Sequence, residues 1–168
     1  MSKSNLQDCY VHIFRLVHTS DDWISPLLKA AESSSYEEAR YSPAPGVASI
    51  WEIVAHVSGW LEDLLHDVTG SPDAGTVDWP PISADTPSAW LATRQHLKSL
   101  VLSLQDVLAR STDEQLLATP AGTDTPLNRR IASIMVHNAY HAGQIVKLRQ
   151  LYQAANSFDL EATGAMNG

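Results

Sequence analysis

Cysteine is nearly absent from this sequence: Cys9 stands alone among 168 residues. A single thiol closes no internal disulfide, and there is no pair or cluster of cysteines to hold a metal. Basic residues are scarce too, with 11 Lys and Arg against 19 Asp and Glu, for a formal net charge of -8. They are scattered along the chain, which nucleic-acid phosphates and anionic membrane surfaces therefore repel on average; neither is an expected partner. No apolar run approaches the roughly 18 residues of a membrane span. The opening MSKSNLQDCY lacks the apolar stretch of a signal peptide, so a reducing cytoplasm is the expected compartment. Strand-like alternation of useful length is also missing, which argues against a sheet-based fold.

What is present suits a folded single domain: 44% of residues are hydrophobic and 18% charged. Leu6, Tyr10, Ile13, Val17, Ile24, Leu28 and Ala31 predict a first helix over residues 5–31, with a kink or restart near Ser25 imposed by Pro26. Ser49 and Glu52 form the S-x-x-E pattern of a capping box and open a second helix that runs to Val68, before Gly70 and Pro72. Thr86 and Pro87 open a third helix, lined by Trp90, Leu97, Leu100, Val101, Leu104 and Leu108 and ending near Arg110. A short helix is expected over residues 113–117. Thr125 and Pro126 open the last long helix, with Leu127, Ile131, Ile134, Ile145, Leu148 and Tyr152 on its apolar face.

The expected fold is therefore all-α: a four-helix bundle over residues 1–155, with residues 156–168 a flexible tail. The loop at residues 69–85 is long for a link between neighbouring antiparallel helices. Fully extended it spans on the order of 55 Å, enough to cross the bundle and let the second and third helices run parallel.

Three histidines stand out. His137 and His141 lie one turn apart on the last helix, on the stripe of Ile134, Ile145 and Leu148. His56 lies on the inward stripe of the second helix, with Ile53, Trp60 and Leu64. Seven histidines in a chain of this length produce a chance pair four apart in about a quarter of cases, so spacing alone is weak. Core placement carries more, because a buried imidazole without a partner is destabilising. A zincin needs Glu after the first histidine, where this chain has Asn138, and a di-iron bundle needs Glu-x-x-His motifs that the chain lacks. Glu52, a turn before His56, is taken as the helix cap. Trp60 is read as core or as a wall of a substrate pocket, and Gln144 as a ligand contact, a brace for an imidazole, or a surface residue. Tyr140 is expected to face away from the histidines and Cys9 to be a small core residue. His12, His18, His66 and His96 are read as surface or satisfied histidines.

The stretches "YSPAPGVASIWEIVAHVSGW" and "VHNAYHAGQIVKLRQL" resemble the DinB-like superfamily of small metal-binding four-helix-bundle proteins. The Pro and Gly entry, the Ser-Ile-Trp-Glu helix start, the inward histidine and the His-x-x-x-His-x-Gly-Gln-Ile segment match in order, over about residues 5–153. The resemblance implies a divalent ion, zinc, nickel or iron, held by His56, His137 and His141. It also implies an up-down-down-up bundle and a homodimer. Three imidazoles leave a metal position open, for a water that hydrolyses or a thiol that attacks an electrophile. The resemblance favours a transferase using a low-molecular-weight thiol in detoxification or stress response. A metal-dependent hydrolase and a non-catalytic, metal-stabilised binding bundle are the alternatives, and the sequence assigns no general acid or base.

Overall fold

Side-chain caps place most of the helix starts. The computed structural model of the protein describes residues 5–71 and 75–164; these are all-helical, with seven helices and no strand among them. α1 spans Leu6–His18 and starts where the Asn5 side chain accepts the Asp8 N–H at 2.8 Å. α2 (Leu27–Glu32) and α3 (Tyr36–Arg40) are short. α4 spans Ile50–Thr69, and its capping box is complete: the Glu52 N–H donates to Ser49 Oγ, and the Ser49 N–H donates to Glu52 Oε2 at 2.7 Å. Gly70, at φ 69°, ends α4 in the left-handed conformation that disfavours a Cβ. α5 (Pro87–Arg110) starts behind the Thr86 cap, and α6 (Asp113–Leu117) behind a box of Thr112 and Gln115. α7 spans Leu127–Gly164.

Two expectations change here. The restart expected near Ser25 is there, with α2 beginning after Pro26, but the helix before it ends earlier than expected, at His18. Thr19 and Ser20 fold their N–H groups back onto the Arg15 carbonyl, and the short polar side chains of the Thr-Ser-Asp-Asp segment compete for the backbone. Apolar spacing carried across the break, but Ile13 and Ile24 are exposed and Phe14 is the buried aromatic. The helix α3 has its own capping box, Ser35 with Glu38, in the pattern that announced α4. At the other end α7 stays helical to Gly164, taking in residues assigned above to a tail; residues 165–168 lie outside the described residues.

One core joins the long helices. α4 lies against α5 and α7, and α1 lies against the same two. Phe14, Leu61, Leu97, Leu104, Ile131 and Ile145 are fully buried between them. Trp90 is anchored within this core by donating its indole N–H to the Ser34 carbonyl at 3.2 Å. Arg130 of α7 pairs with Asp63 and Asp67 of α4, fixing the two helices along their length. Cys9 is exposed, so it is no part of the core. No helix among the described residues is long and apolar enough to cross a membrane.

His18 is the fully buried histidine of α1. It stacks on Phe14 at 4.0 Å and is hydrogen-bonded through both ring nitrogens, to the Phe14 carbonyl and to Asn138. Burial pushes its pKa down from 6.5 to about 4. Between those values the unfolded chain binds the proton and the folded chain does not. The stability this neutral imidazole supports is therefore full above about pH 6.5 and lost as the pH falls toward 4, on the order of 1.4 kcal/mol per pH unit. In metal-free protein, His18→Leu should lower stability at pH 7.5 by about 1–3 kcal/mol, since Asn138 loses its acceptor. The same variant should flatten the decline between pH 6.5 and 5, as read by urea unfolding at each pH.

Candidate metal centre

Three imidazoles from two helices meet at one point. His56 comes from α4, and His137 and His141 from successive turns of α7; one ligand atom from each lies within 4.8 Å of the others. His137 Nε2 is 2.9 Å from His56 Nε2 and 3.0 Å from His141 Nε2. His56 and His141 are buried and His137 is half-buried.

The other nitrogen of each ring explains why these three converge. His56 Nδ1 faces the Asp78 carbonyl at 2.5 Å, His137 Nδ1 faces Asn138 Oδ1 at 3.1 Å, and His141 Nδ1 faces Gln144 Oε1 at 2.6 Å. All three partners are oxygens that only accept, so each Nδ1 carries the proton and each Nε2 presents a lone pair. Three lone pairs aimed together repel one another unless a cation lies between them. Protons are poor candidates at neutral pH. Burial, followed by the neighbouring His137, pushes the His141 pKa down to about 4, and burial lowers that of His137 as well. A divalent ion fits better. Bonds of about 2.1 Å at angles of about 90–109° put neighbouring nitrogens about 3.0–3.4 Å apart, and the separations here lie at the short end of that range. Three neutral imidazoles suit zinc, nickel or iron and leave coordination positions open.

Behind the rings, the tautomers are fixed by groups at some distance. Asn138 is fully buried and donates its amide to His18 Nε2 at 3.0 Å, while His18 Nδ1–H donates to the Phe14 carbonyl at 2.8 Å. Because Phe14 takes one His18 nitrogen, the other must accept, and the Asn138 amide has one orientation: NH2 toward α1 and oxygen toward His137. Gln144 is held likewise, its NH2 donating to the Tyr140 hydroxyl at 2.9 Å. Asp78 and Trp79, from the loop that follows α4, stand against the rings on another side. Trp79 stacks on His56 with centroids 4.0 Å apart and planes 6° apart, and the Trp60 indole N–H donates to Asp78 Oδ1 at 3.1 Å.

The candidates read from the sequence fall into place unevenly. Trp60 is half-buried, edge-on to His56 and His137, rather than plain core. Gln144 braces His141. Tyr140 is exposed, as expected of its place on the helix, yet its ring packs edge-on against His141 at 5.3 Å. Glu52 serves as the cap. His12 is exposed and His96 pairs with Glu62 at 2.9 Å, both apart from the cluster. The sequence reading missed Asp78, Trp79 and Asn138. The Asp-Trp-Pro-Pro run in the long loop was a signal, since an aromatic beside two prolines suits a wall better than a linker. Asn138, the residue after His137, was the other.

The profile of the DinB superfamily matches residues 23–145, which include the three histidines, Trp60, Trp79 and Gln144. The chain belongs to the DinB superfamily. Neither curated proteins nor solved structures give a significant match. The DinB match starts beyond α1, so the His18 support for Asn138 lies outside the matched segment. Removing a group that orients a ligating histidine weakens metal binding by about 10–100-fold. Gln144→Leu, at a half-buried position on α7, should therefore lose affinity on that scale in competition with a chelator. Its metal-free melting temperature should stay within a few degrees of wild type.

Proposed function

We propose that this DinB-superfamily protein is a metal-dependent enzyme that transfers a group to or from a low-molecular-weight thiol, in detoxification or stress response. The observation that carries this reading is the set of three Nε2 lone pairs, each fixed by an engaged Nδ1–H, with one of the three rings, His141, also lining an apolar cavity. A divalent zinc, nickel or iron ion held by His56, His137 and His141 supplies Lewis acidity, which keeps a bound thiol in its anionic, nucleophilic form near neutral pH. The chain's own residues do the rest. Asp78, Asn138 and Gln144 fix the tautomers and keep the imidazoles aligned, and Trp60 and Trp79 stand against the rings. The Asp78 carboxylate faces His56 Nδ1 at 3.3 Å and accepts the Trp60 indole N–H, which ties the loop to α4 beside the histidines.

The same reading takes α1, α4, α5 and α7 as an up-down-down-up bundle whose 69–85 crossover lets α4 and α5 run parallel. It is supported by Trp51, near the start of α4, donating to Thr93 near the start of α5, and by Val68 and Val107, near their ends, lining one cavity. A homodimer working in the cytoplasm completes the proposal. As a test, metal-loaded protein should consume thiol and an electrophile such as an epoxide in equal amounts. His141→Ala should reduce kcat/KM by at least about 100-fold, comparable to loss of a group that stabilises developing charge. Hydrolysis of the electrophile without loss of thiol would assign the site to a hydrolase. Absence of both reactions in metal-loaded protein would favour a non-catalytic binding bundle.

A further inference from the structure

The substrate side of this site has its own character. A cavity of about 470 Å³ opens beside His141, with Val47, Trp79, Tyr140, Lys147, Leu148 and Leu151 among the residues around it. Residues 141, 144, 148 and 151 form one stripe of α7, so the cavity follows the helix for about 15 Å away from the imidazoles. Several of its walls are large side chains that stay partly exposed: Val47 is 43% exposed, Trp79 46%, Tyr140 64% and Leu151 43%. An apolar patch concentrated next to a ligand-binding centre marks a place where something apolar is held.

Polar groups along this wall are few, and the amide among them is engaged on both sides. The Gln144 amide is shared between His141 and Tyr140, and Lys147 donates to Gln150 at 2.9 Å. A sugar-like or peptide-like body lying here would lose water and find few replacements. Resting on the reading of the histidines as a metal centre with an open position, we propose that this cavity binds an aliphatic or aromatic substrate body. The body extends from the reacting atom at the histidines along α7 to Leu151. The site thereby selects small amphiphilic molecules, with a reactive head and an apolar tail.

A homologous series of straight-chain thiols, ethanethiol to decanethiol, tests this on cobalt-loaded protein, with binding followed by the visible and near-ultraviolet bands of the ion. The sulfur reports on the open position and the tail on the cavity. Affinity should rise about three- to fourfold per added methylene. Leu151→Asp, at a half-exposed position outside the metal centre, should abolish that rise over the longest members, whose tails reach it, while leaving ethanethiol binding unchanged. A flat series, or a rise that Leu151→Asp leaves intact, overturns the cavity assignment while ethanethiol binding still upholds the open position. Bands that no thiol perturbs overturn the open position itself, and the cavity assignment with it.

Discussion

The Nδ1–H of each of three histidines is given to an oxygen, and the rest of the site depends on that commitment. Once His56, His137 and His141 have spent this proton on Asp78, Asn138 and Gln144, their Nε2 atoms face each other as bare lone pairs. Such an arrangement is unfavourable in an apolar interior unless a cation completes it. The low pKa of His141, set by burial and by the neighbouring imidazole, means that protons do not do so at neutral pH. The rings are thus prepared for a metal by groups that do not touch it.

Those groups come from every part of the fold. Asp78 comes from the crossover between α4 and α5, Gln144 lies one turn beyond His141, and Asn138 is held by His18 and, through it, by the Phe14 carbonyl of α1. The caps matter for the same reason. Ser49 and Glu52 fix where α4 begins, and hence that His56 lies two turns inside it, opposite α7. The ion pairs of Arg130 with Asp63 and Asp67 hold α4 and α7 side by side. Moving either helix separates ligands that are now 2.9 Å apart.

The helices were legible in the sequence where a cap and a periodic stripe agreed, as for α4 and α5. They were misread where a stripe ran through a break, as at Thr19 to Pro26, because periodicity counts spacing and does not register backbone groups turned aside. The three histidines were legible as a cluster from helical spacing and family likeness together. Their supports were not. A loop residue such as Asp78 contributes its carbonyl, which every residue has, so nothing in its identity announces the role. The bond from His18 to Asn138 crosses 120 positions of sequence, and only the packing of α1 on α7 brings the two together.

The central claim, that these histidines exist to hold one ion, is tested most directly by elemental analysis of tag-free protein for wild type, His56→Ala, His137→Ala and His141→Ala. The account predicts about one divalent ion per wild-type chain and loss of it in all three variants. A wild-type protein that is folded, metal-free and unable to take up zinc, nickel or iron would contradict it.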